Sequence, residues 1–163
     1  MVSTKFTLLA LAATLSTAAA TGSAKIINRC PTSVYLHFDG PQDHGPDTIT
    51  LAAAPGSSYN EPFVQDKNPD VGRAIIITSV NPPGAAKITF AYHVANGTVF
   101  YNLSIEGGQV LPGKEIVVRS GDTGACPTIS WPSGTDPNPT GQDHTKSCSA
   151  DNEIVLLLCA SNI

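Results

Sequence analysis

The chain has 163 residues, 41% of them hydrophobic and only 13% charged, with 14 glycines and 13 prolines. That length supports one respectable core and not two, so one domain is expected. The formal net charge is −4 with no basic run, which argues against a nucleic-acid partner, because a phosphate backbone would be repelled.

The N-terminus reads as a secretory leader. Lys5 precedes the apolar run "FTLLALAATL", and "STAAATGSA" follows with the small residues that a cleavage site requires. Ala18 and Ala20 place the junction after Ala20, with Ala24 the weaker choice, so residues 1–20 are expected to be signal peptide and 21–163 one domain. The run is shorter than the roughly 20 residues needed to span a bilayer. Late in the chain "EIVLLLC" is also too short, and its polar exit "ASNI" lacks the tail of a lipid-anchor signal. A free extracellular protein with no membrane contact follows. Loss of Lys5 leaves eight basic against thirteen acidic residues, a net charge of −5.

Short β-branched and aromatic runs recur along the mature chain, separated by Gly, Pro, Asn and Asp: "KIINRC", "SVYLHF", "TITL", "RAIIITSV", "AKITFAYHV", "TVFYNLSI", "EIVVRS" and "EIVLLLC". Their spacing predicts an all-β sandwich. The one helical candidate, from Leu51 to Ala54, stops at Pro55 and Gly56. "FDGPQDHGPD" and "VNPPGAA" carry the Pro, Gly and Asp of chain reversals. Residues 126–148 show no periodicity and read as a surface loop.

Cys30, Cys126, Cys148 and Cys159 are even in number, lie in the mature part and match no zinc spacing, so two disulfides are expected. Three pairings are open. The one favoured joins Cys30 to Cys159, tying the ends of the fold, and Cys126 to Cys148, closing the polar loop.

In "VFYNLSIEGGQVLPG", alternation puts Val99, Tyr101, Leu103 and Ile105 on a core face and Phe100, Asn102, Ser104 and Glu106 on the other. That second face is where a glycan or ligand has room, although Phe100 implies partial cover. Asn96-Gly97-Thr98 and Asn102-Leu103-Ser104 both satisfy the N-glycosylation rule. Asn96, in an "NG" hairpin turn, is the more accessible acceptor, and a type I′ turn is compatible with modification there. His37, Asp39, Asp43 and His44 fit no metal-ligand spacing and read as solvated loop residues, so neither metal nor cofactor is expected. No Ser or Cys nucleophile has an evident base. Trp131 is the one large aromatic outside the strand runs. It is weighed as a sugar-stacking residue against packing over the neighbouring disulfide, and packing is favoured.

Together "AKIINRCPTSVYLHFDG", "VGRAIIIT", "FAYHVANGTVFYNLSIEGG", "CPTISWPSG" and "IVLLLC" resemble the fungal Blastomyces yeast-phase-specific protein family across essentially the whole mature chain. The resemblance implies a small secreted protein with a thaumatin-like β-sandwich fold, stapled here by two disulfides, and brings no assigned activity with it. Plant thaumatin-like proteins, by the same resemblance, carry an acidic cleft implicated in β-glucan binding or weak hydrolysis. Phe100, Tyr101, Ser104, Gly108, Leu111 and Pro112 match the segment that holds two of the cleft Asp residues, but Asn102 and Gly107 stand in their places. Lys87 falls where the cleft Glu belongs, and Arg73 alone matches the cleft's basic residue. Glu106 adjoins a lost position, one residue out of register and so turned to the other face of a strand.

Glycoside hydrolysis needs two carboxyl groups about 5 to 9.5 Å apart, and these positions supply no such pair. The expectation is a monomeric, non-catalytic fungal protein of the surface or extracellular space. It associates with cell-wall polysaccharide or acts as an effector on a host protein, with Arg73, Glu106 and Trp131 as weak ligand-binding candidates. The alternative is a divergent β-glucan-binding or weakly hydrolysing enzyme.

Overall fold

The computed structural model describes residues 22–40, 47–53, 57–65, 68, 71–121, 125–138 and 144–161, and the expected leader lies outside them. Among the described residues the chain forms eleven strands and no helix: β1 (Ser23–Asn28), β2 (Val34–Asp39), β3 (Thr48–Leu51), β4 (Ser57–Pro62), β5 (Arg73–Thr78), β6 (Lys87–Ala95), β7 (Thr98–Glu106), β8 (Ile116–Ser120), β9 (Ile129–Trp131), β10 (Lys146–Ser149) and β11 (Ile154–Leu158). They make a five-stranded sheet, β4-β1-β11-β8-β9, and a six-stranded sheet, β10-β7-β6-β5-β2-β3. The expected sandwich is present, and Leu51 closes β3.

Period-two alternation decides which face each strand buries. On β5, β6 and β7 the buried residues Ile75, Ile77, Ile88, Phe90, Val99, Tyr101 and Leu103 point inward, against Ile26, Ile116, Val118, Leu156 and Leu158 of the other sheet. Each fully buried aliphatic side chain contributes roughly 1.5–3 kcal/mol. Tyr101 keeps its hydroxyl satisfied by donating to the Pro127 carbonyl. β11 is buried along its whole length, as its unbroken apolar run requires of a central strand.

The first and last strands lie side by side. β1 and β11 pair in parallel, from Ala24 opposite Ile154 to Asn28 opposite Leu158. One residue further, the Arg29 N–H donates to the Leu158 carbonyl at 3.0 Å. This register brings Cys30 and Cys159 to a Cα separation of 5.1 Å, where they are disulfide-bonded. Asn28, fully buried beside the bridge, points Nδ2 at the carbonyls of Thr32, Leu51 and Ala52 and accepts the Cys30 N–H. It thereby joins the end of β1 to the end of β3 in the opposite sheet.

Residues 126–148 differ from the expected loop. β9 pairs with β8 at the edge of one sheet, and β10 pairs with β7 at the edge of the other. The segment therefore crosses the sandwich, and the Cys126–Cys148 disulfide ties its start to β10. Strands of three and four residues are too short to show a period in the sequence; the free edges of β8 and β7 define them.

Candidate functional site

Two of the positions matched to acids of the plant cleft, Lys87 and Gly107, supply no free carboxyl here. Lys87 and Glu106 are directly opposite across β6 and β7, with Nζ to Oε2 at 2.9 Å and the Glu106 side chain 74% exposed. Glu106 thus sits in a solvated surface pair with Lys87. Gly107 has φ 71°, and a Cβ on it would lie 1.8 Å from the Ala85 carbonyl oxygen, so this backbone admits no carboxylate side chain at that position.

An acid that sequence reasoning passed over is placed at the heart of the sandwich. Glu61, on the inward face of edge strand β4, is 6% exposed and faces Arg73 of β5, which is 3% exposed. Arg73 Nε donates to Oε1 and Nη2 to Oε2, both at 3.4 Å, in a fork that links the two sheets. The Tyr59 hydroxyl donates to Oε2 at 2.8 Å and the Tyr92 hydroxyl to Oε1 at 2.7 Å. The guanidinium also lies 4.8 Å above the Phe38 ring, which packs on Tyr59. Burial, then the Glu61 hydrogen bond and charge, push the Tyr59 hydroxyl up to about 12 against a lesser opposing effect of Arg73. Tyr92 is raised further, first by burial and next by the Glu61 charge, although the Val64 N–H donated to its oxygen opposes the shift.

Arg73 is therefore corrected from a ligand candidate to an internal partner. Trp131, 3% exposed on the inner face of β9 opposite Ile116, is packed in the core, the reading favoured over sugar stacking, so only its weak ligand candidacy is set aside. The only sequence sign of Glu61 is an acid at an inward position in "SSYNEP", where it breaks the apolar alternation and hides the strand itself.

The outer face of the six-stranded sheet holds an open trough of about 330 Å³. Register sets Ala74, Ala91 and Asn102 in one row across β5, β6 and β7. The two methyls make a low floor. In the next row His93 and Phe100 are cross-strand partners whose rings stack at 4.7 Å and 6°. Thr145 and Gly72 complete the rim, and a Cβ on Gly72 would meet the Tyr92 carbonyl oxygen at 2.7 Å. Arg73, Tyr92 and Tyr101 also border the trough, but their buried side chains turn to the core.

A smaller polar depression of about 140 Å³ lies near β9, where His144 Nε2 stands 3.2 Å from Asp136 Oδ2 and 3.1 Å from the Asn138 carbonyl. His37 faces the hydroxyls of Thr48 and Thr78, and Asp39 accepts the Gly40 N–H. Asp43 and His44 lie outside the described residues, among which no cluster of three potential metal ligands occurs. Asn96 is exposed with φ 51° and Gly97 follows at 74°, the type I′ hairpin geometry. Asn102 is half-buried at the trough.

Two packed antiparallel-rich sheets, chain ends paired in parallel and two disulfides define a thaumatin-like β-sandwich. The family model for the Blastomyces yeast-phase-specific protein matches residues 11–160, and the chain belongs to that family. Comparison with curated proteins finds no match. Among solved structures, the protein elicitor MoHrip2 from Magnaporthe oryzae is 20% identical with a TM-score of 0.66, over 85% of this chain and 99% of that one. The thaumatin-like xylanase inhibitor TLXI is 14% identical with a TM-score of 0.53, over 83% of this chain and 98% of that one. At these identities the likeness is one of fold.

Proposed function

We propose that this is a secreted, non-catalytic fungal protein of the cell surface or extracellular space, which associates with wall polysaccharide or acts as an effector toward a host. The observation that carries the reading is the state of the acids. Glu61 is enclosed by Arg73 and two tyrosine hydroxyls, Glu106 is paired with Lys87, and the Gly107 backbone excludes a side chain. A glycosidase needs one carboxyl to protonate the leaving oxygen and a second to attack or activate water, and these positions offer neither. The two disulfides, which persist in oxidising compartments, support secretion, and a protein elicitor and a xylanase inhibitor share the fold.

The test is a paired assay on the purified secreted protein. Co-sedimentation with insoluble β-glucan or chitin, or a response in infiltrated host tissue, is expected without release of reducing ends. Reducing ends that appear with wild type and vanish in Glu106→Gln would establish the hydrolase reading instead. Arg73 is unsuited to that role, because its replacement removes a buried inter-sheet pair.

A further inference from the structure

Phe100, Asn102 and Ser104 project from the same outer face of β7 at successive pleats, about 7 Å apart per pair, so the acceptor, its hydroxyl partner and an aromatic ring share one surface. Beside Asn102 lies the Ala91 methyl, then Ala74, with nothing taller on the floor, and the stacked His93 and Phe100 rings stand in the neighbouring row. At about 330 Å³ the trough is at the low end of small-molecule sites, yet it lacks their converging charged groups: Arg73, which borders it, directs its guanidinium inward to Glu61. A free ligand would find few polar anchors there. A tethered one needs only a complementary surface, since covalent attachment supplies the local concentration.

We propose that Asn102 carries an N-linked glycan whose first N-acetylglucosamine ring lies in this trough, its apolar C–H face against Phe100. The step joins Asn102 Nδ2 to C1 of the sugar of a lipid diphosphate-linked oligosaccharide. The C1–O bond to the lipid diphosphate breaks, that diphosphate leaves, and the amide loses one proton. Transfer takes place as the chain enters the secretory pathway, before β10, which follows β7 in the chain, has paired with it, so the half-burial of Asn102 in the completed sheet is no obstacle. The Asn96 sequon has the opposite surroundings, an exposed turn with no atom within 4 Å of the position a Gly97 Cβ would take. A glycan at Asn96 extends into solvent; one at Asn102 packs.

The inference rests on the extracellular reading, and the experiment separates the two. The full chain is produced in a yeast secretion host with its own residues 1–20, and in parallel with those residues replaced by a heterologous secretion leader. Retention of the first form alone counts against the native leader; the second form decides Asn102. Glycopeptide mass spectrometry is expected to find N-acetylhexosamine on Asn102, absent in Ser104→Ala. Phe100→Ala is expected to lower the melting temperature of the glycosylated protein by about 3 °C more than it lowers that of Ser104→Ala. Recovery of Asn102 unmodified from the secreted protein, modification of Asn96 alone, or additive effects of the two substitutions would each overturn the proposal.

Discussion

At Glu61 the carboxylate accepts from two tyrosine hydroxyls and one guanidinium inside the sandwich, while at Glu106 the same chemical group meets one lysine in water. The two acids differ in dielectric surroundings and therefore in the cost of losing a partner. Arg73→Ala strands a buried carboxylate and is expected to destabilise by about 3–5 kcal/mol, whereas Glu106→Gln is expected to cost under about 1 kcal/mol. Urea midpoints of the two variants check this. The tyrosines add a pH dependence. Tyr59 holds its proton up to about 12 in the fold against 10.0 unperturbed, and Tyr92 is raised as well, so the native state binds more protons than the unfolded chain above pH 10.0. Their contribution is whole below that pH and falls as pH rises toward 12. Urea midpoints measured from about pH 9 to pH 12 should therefore decline, and Tyr59→Phe should flatten part of the decline. In the sequence Arg73 is legible as a basic residue matching a cleft, but its partner is not, because Glu61 sits in a polar edge segment.

Strand recognition followed burial. β5, β6 and β7 carry inward buried residues at every second position, aliphatic or aromatic apart from Arg73, and their boundaries are nearly those of the apolar runs. β4, β9 and β10 escaped the sequence because each is an edge strand with polar residues on its open face and, in β4, a buried acid on the other. The β6–β7 hairpin shows where a local signal suffices: Asn-Gly supplies two successive positive φ values that match the twist of the flanking strands. Gly97→Ala is expected to destabilise by about 1–2 kcal/mol through backbone strain alone, since the space around a Cβ is empty. Equilibrium unfolding should register that loss. The replacement D-alanine, which adopts positive φ without strain, should recover it in a semisynthetic chain.

Across the sandwich, the disulfides act on chain entropy in proportion to the loop each closes. Cys30 and Cys159 are 129 residues apart and Cys126 and Cys148 are 22 apart. Replacing the first pair by alanines is expected to cost about 5 kcal/mol and the second about 3 kcal/mol, read from denaturant unfolding of each double variant. The favoured pairing was right because the parallel β1–β11 contact brings the two ends together, a contact between strands over a hundred residues apart that periodicity cannot reveal. Alternation, turn chemistry and cysteine count are local or compositional properties, so an all-β chain with four bridging cysteines and a core-facing Tyr101 could be read directly from the residues. Proximity across sheets is not local. Sheet order and register alone enclosed Glu61 with Arg73, drew Trp131 into the core, turned a supposed loop into two edge strands and set Asn102 beside a floor of alanines, because each of those neighbours is chosen by long-range strand pairing and packing.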